Sequence, residues 1–492
     1  MKEWQQQEVN ELLNDATNLV NEFEKSKLIA EIHATNLTHA IIGGYNAKTY
    51  SDALELAELP RATSIKGVWR WWFKSLLAGA MWSVRGKIEE KEINEIRRIT
   101  QKVLGSPDGV SNYRLYIVVK PKEKITPPPA NQIERLRKVI KYGRQRLKQE
   151  LRIKEDKAKL LKKLVSDLVP PRIRLLALAD ETSKEVAERL SFYEPKYLNI
   201  TISIYEVGKN YKANFKEKER RAVVGSLLIA LLFQGLGAIV RRGFGSLEIT
   251  EIESNQQFKG ELAEIENYVS SIYNAKSKSG VEKSLKSLIS TILDDFRALL
   301  NEREKSLTTG IPPFPVVSDD DRIFRWRTLI KEISVTENER GFLQEFLKVE
   351  DVNSMKLLSI IGKATLKASW KVKRGKKVSS NGKIHTWILG LPRGQELEDL
   401  KTGYWLKKDG EEELGRRASA ISFNVLKRLD AKNWLILYYG FLSQDWPIDH
   451  LWHYSAGRKP IKVTSIMNNQ NLDIKKIFDE AFRAVEKCLK NI

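Results

Sequence analysis

The sequence predicts an α+β protein, and three observations lead there. Short runs rich in β-branched residues recur at residues 28–35, 112–120, 197–205 and 246–252, as strands require. Two of the intervals between them, at residues 65–80 and 216–233, repeat apolar residues at helical spacing or as one apolar block. The resulting order of strand, helix, strand, strand, helix, strand is that of a ferredoxin-like split βαβ unit enlarged by insertions. A fainter set of strand patterns in residues 351–492 predicts a second unit, so the expected organisation is two ferredoxin-like domains with helical insertions. Residues 1–255 form the first domain, 256–350 a polar helical insertion or linker, and 351–492 the second domain.

Each element follows from its residues. Val9, Leu12, Leu13, Leu19 and Val20 predict an amphipathic helix over residues 1–27. Residues 28–35 read as a strand, and Ile41-Ile42-Gly43-Gly44-Tyr45 opens a loop that runs to Pro60. Thr63 or Ser64 can then cap a helix starting at Ile65. In it Ile65, Trp69, Trp72, Phe73, Leu76 and Ala80 make one apolar face. Lys66, Arg70 and Lys74 recur every four residues on another face. A basic stripe that begins in the first turn opposes the helix dipole, so an anion bound at the helix N-terminus explains it better than helix stability does; the alternative is cationic side chains that coat the surface.

The insertion at about residues 90–170 is strongly basic. Residues 131–163 hold thirteen Lys/Arg against four Asp/Glu, with Leu136, Ile140, Leu147 and Leu151 along a helical stripe. A long basic helix or helix pair is expected, with RNA contact and a plain solvated face both open. After the strand at 197–205, residues 216–233 form a helix whose apolar part, 222–233, suits burial between layers. Gly235 is placed to end it in a left-handed cap.

The loop Gly235-Leu236-Gly237-Ala238-Ile239-Val240-Arg241-Arg242-Gly243-Phe244-Gly245-Ser246 carries the sharpest signal. Glycines permit positive φ and close backbone approach, so main-chain N–H groups and the Arg241 and Arg242 forks are expected to face one anionic chain. Beyond it, residues 363–373, 384–389, 418–425 and 434–441 are strand candidates, and Ile477, Phe478, Ala481 and Val485 mark a final amphipathic helix over 474–489.

Charge narrows the partner. The 492 residues include 84 Lys+Arg and 63 Asp+Glu, a net charge of +21, which concentrates polyanions. Nucleic acid is the expected partner. No run approaches the roughly 18 apolar residues of a membrane span, and Met1-Lys2-Glu3-Trp4 lacks the apolar core of a signal peptide, so a cytoplasmic protein without membrane contact is expected. A single cysteine, Cys488, excludes internal disulfides and cysteine zinc clusters. No Walker A loop, His-Asp doublet or Gly-Gly-Asp-Asp run is present, and no cofactor is implied.

The strand leading to Ile41-Ile42-Gly43-Gly44, the helix start Thr63-Ser64-Ile65-Lys66-Gly67-Val68-Trp69-Arg70, the aromatics Trp71-Trp72-Phe73, and the Gly237–Leu247 stretch together resemble the RAMP proteins of CRISPR systems. In the second half, Leu389-Gly390-Leu391-Pro392 and Arg416-Arg417-Ala418-Ser419 add to that resemblance, which covers most of both domains and is strongest for the first subunit of the type III-B (Cmr) complex. It implies RAMP/RRM-like domains and a non-catalytic place near the 3′ end of a guide RNA (crRNA), where target RNA enters, beside other RAMP subunits. By the same resemblance Arg61, Ser64, Lys66, Arg70 and Lys74 at the helix start, and Gly237, Arg241, Arg242, Gly243, Phe244 and Gly245 in the loop, are RNA-binding residues. Their contacts would be to phosphates, with sequence read by base pairing.

Chemistry has few candidates. Related guide-processing RAMP enzymes cut RNA without metal and need a general base, commonly histidine; His39 and the nearby Tyr45 are the candidates for that rival reading. His450 and His453 on one helix face, with Asp445 or Asp449, are a candidate metal set, against which Trp446, Pro447 and Trp452 suggest a packed corner. Asp319-Asp320-Asp321 is expected to cap a helix and pair with Arg322, Arg325 and Arg327 rather than to bind Mg²⁺.

Overall fold

Strand β1 (Leu28–Asn36) turns Ala30, Ile32 and Ala34 into the core and leaves Glu31 and His33 half-buried on its other side. This is the alternation of a half-buried strand. The computed structural model describes residues 27–43, 48–106, 109–207, 213–301, 310–367, 384–390, 393–397, 400–407, 419–454, 459–469 and 471–492. The amphipathic helix expected before residue 27 and the motif residues Leu391, Pro392 and 416–418 lie outside them.

After β1 come a hairpin of β2 (Tyr50–Ser51) and β3 (Leu56–Ala57), then α1 (Ala62–Arg85), α2 (Glu90–Leu104) and β4 (Tyr113–Pro121). Five helices follow: α3 (Ala130–Lys141), α4 (Arg144–Leu151), α5 (Glu155–Leu168), α6 (Pro171–Ala177) and α7 (Ser183–Arg189). Then β5 (Leu198–Glu206), α8 (Ala213–Phe233) and β6 (Leu247–Ser254) complete a four-stranded sheet of order β4-β5-β1-β6, antiparallel throughout.

Helix α1 starts at Ala62, three residues earlier than expected. Arg61 is its N-cap in extended conformation, and neither it nor Thr63 nor Ser64 supplies a side-chain cap. The apolar face is as expected: Ile65, Trp69, Trp72, Phe73, Leu76 and Ala80 are all buried. Trp69 Nε1 donates to Ser226 Oγ at 2.9 Å and Trp72 Nε1 to Gln234 Oε1 at 3.2 Å, so each indole is buried without an orphaned donor. A strap crosses the far end, where Val317 N donates to Ser75 O at 3.0 Å. Gly79 admits it, since a Cβ there would stand 1.5 Å from the Val317 carbonyl oxygen.

The basic insertion is three helices where a helix or pair was expected, because Gly143 and the left-handed Arg152 break the run. Ile133, Leu136, Val139, Leu147, Leu161 and Leu164 fill a separate small core beneath it.

Residues 256–350 are more than a linker. Helices α9 (Lys259–Asn274) and α10 (Lys278–Leu299) pack on α1 and α8, and β7 (Phe324–Glu332) pairs with β11 of a second, three-stranded sheet. Helices α11 (Glu337–Leu347) and α12 (Val352–Lys367) follow. Residues 363–367 are therefore helical, not a strand, and Ile384–Leu389 is a 3₁₀ helix. After β8 (Arg393–Leu397) and β9 (Leu400–Leu406) come β10 (Ile421–Arg428), three residues later than expected, and β11 (Asn433–Phe441), within one residue of its expected bounds. Then β12 (Leu451–Tyr454), β13 (Ile461–Lys462), α13 (Val463–Asn469) and α14 (Ile474–Asn491) end the chain; the antiparallel sheets here are β10-β11-β7 and β13-β12-β9-β8.

The two halves share one core. Phe324, Leu437, Tyr439 and Phe441 from the second sheet belong to the same apolar cluster as Ile32, Trp72 and Phe233, and Phe324 stacks on Phe441 with ring centroids 4.9 Å apart.

Candidate nucleic-acid interface

Along α1, residues four apart stand above one another. Lys66, Arg70 and Lys74 form one edge of its outer surface, and the exposed Ser64, Gly67 and Trp71 run beside them. The first turn holds no acidic residue. Arg61, exposed, ties the helix entry to the preceding loop by donating to Gly43 O at 3.3 Å.

Arg70 Nη2 donates to the carbonyls of Leu104 at 2.9 Å and Gly105 at 2.6 Å, closing the C-terminal end of α2. This anchors the guanidinium without neutralising it. Around it lies a recess of about 420 Å³ lined by Lys66, Arg70, Leu104, Gly105, Ser106, Gly109 and Ser111. Burial, then the charges of Arg70 and Arg114, holds the Lys66 amine below its usual range; burial, then Arg70 and Arg97, does the same to Lys74. Among the described residues no carboxylate pairs with Lys66, Arg70 or Lys74. Five cations therefore crowd one another, and a bound anion would relieve them.

Sequence reasoning missed Arg97 and Arg114. They lie on α2 and β4, and only the fold brings them to the stripe; the alternation of Arg114, Tyr116 and Lys120 on β4 was the available signal.

The glycine loop behaves differently from its expectation. Gly237, Gly243 and Gly245 have φ of 98°, 81° and 61°, and Ile239 also takes a positive φ, 60°. Yet several of the loop's amides turn inward. Ala238 N donates to Ile41 O at 2.7 Å, Arg242 N to Ile239 O at 2.9 Å, Gly243 N to Val240 O at 3.1 Å and Gly245 N to His39 O at 2.8 Å. These four donors are spent within the protein and are not available to an outside anion. Gly235 is not left-handed; it is glycine because a Cβ would meet Gly245 O at 2.4 Å. Phe244 is fully buried, and its ring packs in the core and has no face for a base.

The two arginines look toward the second half. Arg241 is exposed, and its Nη1 lies 3.4 Å from Ser419 O. Arg242 donates toward Ile421 O at 3.4 Å and Leu389 O at 3.5 Å and sits over the Phe423 ring at 5.8 Å. These contacts join the loop to the second sheet.

Loop and helix nevertheless converge on common neighbours. Arg61 contacts Gly43 while Ala238 bonds Ile41. Trp71, 39% exposed, packs its ring edge-on to Phe441 at 5.4 Å, and the Arg241 charge acts on Tyr439, whose ring lies 5.7 Å from Trp72. Lys66, Arg70 and Lys74 thus form one group with Arg97 and Arg114, while Arg241 and Arg242 form a second against the second half of the chain.

His39 is fully buried. Its Nδ1 lies 2.9 Å from Ser354 Oγ and its Nε2 2.9 Å from Glu194 Oε2, while the Glu194 carboxylate also accepts from Glu350 N at 3.1 Å and Asp351 N at 3.0 Å. A serine, a histidine and a glutamate line up here, sealed from solvent, at the junction of β1 with the entry to α12. Tyr45 lies outside the described residues. His450 and His453 do not share a helix face: His450 ends a 3₁₀ turn and His453 lies on β12 against Tyr404 at 4.7 Å. The aspartate triplet pairs with arginines as expected, Asp320 with Arg322 at 2.6 Å and Asp321 with Arg327 at 2.7 Å, and Asp319 with Arg297 at 2.7 Å. It precedes strand β7, so the helix-capping part of that expectation does not hold. Among the described residues no helix is long and apolar enough to cross a membrane.

Residues 35–248, which include β1, α1 and the glycine loop, match the RAMP superfamily. A curated relative from Saccharolobus solfataricus, the CRISPR system CMR subunit Cmr1, is 26% identical over 308 residues, covering 55% of this chain and 64% of the relative's own length. Among solved structures, a chain of a type III-B Cmr-beta assembly described as bound to cognate target RNA and AMPPnP in the presence of ssDNA covers 93% of this chain and 100% of itself, with 17% identity and a TM-score of 0.46. The apo form of Cmr1 from Pyrococcus furiosus covers 90% of this chain and 96% of itself, with 15% identity and a TM-score of 0.41. The resemblance carried by Thr63–Arg70 and Gly237–Leu247 therefore holds at both levels: residues 35–248 match the RAMP superfamily, and the chain resembles the first subunit of the Cmr complex.

Proposed function

We propose that this chain is a non-catalytic RNA-binding subunit of a type III-B, Cmr-type RNA-guided effector. It caps the guide filament near the 3′ end of the crRNA, helps capture target RNA, and docks against other RAMP subunits in the cytoplasm. The strand order β4-β5-β1-β6 supports a ferredoxin-like first domain, and the β10-β11-β7 sheet with α12 and α14 is read as the core of the second. One observation carries the proposal: the unneutralised Lys66, Arg70 and Lys74, with the charges of Arg97 and Arg114 beside them and with Lys66 and Arg70 lining an open recess. Such a group binds phosphates irrespective of base. The 26% identical Cmr1 relative supports its assignment to an RNA-guided assembly.

Lys66→Glu with Lys74→Glu is the direct test, because Arg70 also closes α2 and is best left intact. Binding of labelled guide RNA at low salt should weaken well over tenfold, since each change removes an attraction and adds a repulsion. Unchanged affinity, with the circular dichroism spectrum intact, counts against the assignment.

The rival reading, a metal-independent endoribonuclease using His39, is disfavoured because His39 exposes no surface. Incubation of guide and target RNA with the protein in EDTA should return both intact. Specific cleavage that disappears in His39→Ala would overturn the non-catalytic reading.

A further inference from the structure

On the face of the four-stranded sheet opposite its apolar one, three metal-binding side chains stand together. Glu31 and His33 are two residues apart on β1 and share a face, and Glu253 is the register partner of Glu31 on β6. One donor atom from each lies within 4.8 Å of the others. His33 Nε2 and Glu253 Oε1 are 3.6 Å apart, too far for a hydrogen bond. Two ligands about 2.0–2.2 Å from one ion stand roughly 3.0–3.5 Å apart, so the gap fits a bridging cation.

Strand β5 orients two of the three. Thr201 Oγ1 lies 3.2 Å from His33 Nδ1, and Ser203 Oγ donates to Glu31 Oε1 at 2.6 Å; both are the direct register partners of the residues they hold. This contact admits the tautomer in which the hydroxyl accepts from Nδ1–H and the lone pair is left on Nε2, the arrangement that outer partners of metal-bound histidines impose. That Nε2 is buried as an atom and has no hydrogen-bond partner among the described residues. An imidazole lone pair facing carboxylate oxygens is repulsive unless something positive lies between them.

We propose that Glu31, His33 and Glu253 bind a divalent transition ion of the Zn²⁺ or Mn²⁺ class, with its remaining coordination positions open toward solvent. The imidazole favours such an ion over Mg²⁺ or Ca²⁺. The ion staples β1 to β6 on the side of the sheet that the helices leave uncovered.

Titration of the metal-free full chain with Co²⁺, whose visible ligand-field bands report nitrogen and oxygen coordination, tests this, with Zn²⁺ competition by calorimetry. Stoichiometric binding with a ligand-field spectrum is expected, lost in both His33→Ala and Glu253→Gln and about tenfold weaker in Thr201→Val. The double change His450→Ala with His453→Ala should leave the spectrum unaltered. Glu253 is largely exposed on its strand, so Glu253→Gln keeps the test valid should His33→Ala fail to fold. Absence of stoichiometric binding, or a spectrum that survives Glu253→Gln unchanged, overturns the site.

Discussion

Ser246 Oγ, on the glycine loop, donates to Asn424 Oδ1 on β10 at 2.5 Å, and the same serine oxygen accepts from Val425 N at 3.0 Å. Asn424 completes the joint by donating to Leu232 O at 2.7 Å. Every one of these groups is buried. Ser246→Ala should therefore cost about 1–3 kcal/mol, the penalty of leaving buried partners unmatched, measured by urea unfolding. RNA affinity per folded molecule should not change, which separates the loop's joining role from phosphate binding.

Gly67 offers a test with two opposite signs. It sits mid-helix on the exposed surface of α1, and a Cβ there would meet nothing within 4 Å. Gly67→Ala should raise stability by up to about 1 kcal/mol, since glycine is the poorer helix former. If a nucleic-acid backbone approaches the helix between the basic edge and Trp71, the same methyl group will weaken RNA binding. Thermal melts and anisotropy on one sample decide it, and equal or tighter binding removes Gly67 from the interface.

The slope of log affinity against log salt should report how many phosphates the protein neutralises. For single-stranded RNA, removing the cation opposite one phosphate flattens the slope by about 0.7. Lys74→Ala and Arg114→Ala are each expected to do so, and to act equally on guides of unrelated sequence. A change that depends on sequence would mean base readout at these positions.

Acid stability should report the Glu194–His39 pair. Burial works to raise the Glu194 carboxyl, but the His39 charge and the hydrogen bonds of His39, Asp351 and Glu350 outweigh it and hold it below the usual 4.5. The unfolded chain then takes up this proton first, so the stabilisation is complete above about pH 4.5 and is lost as pH falls through the lowered value. Glu194→Gln should flatten the decline of Tm below pH 5. Superimposable acid limbs for the two proteins would show that Glu194 does not carry this pH dependence.

The α1 face is legible in the sequence because Ile65, Trp69, Trp72 and Leu76 keep one helical period and one environment. The four strands of the first sheet are legible for the same reason. The glycine loop is visible but the direction of its amides is not, since their partners, Ile41 O and His39 O, lie about two hundred residues away in sequence and no local pattern announces them. Strand β7 is hidden by polar neighbours on both sides. Helix α12 passes for a strand when read from residue 363 onward, past Met355, Leu357, Leu358 and Ile361, which carry the helical period. Arg97 and Arg114 join the basic group only through tertiary contact.

The shared core has a consequence for how the molecule is made. With Phe324, Tyr439 and Phe441 packed against Trp72 and Phe233, a fragment ending at Ser254 would present an aromatic wall to water. Neither portion should be soluble by itself, whereas the two expressed together should find one another and reconstitute the intact particle without a peptide link.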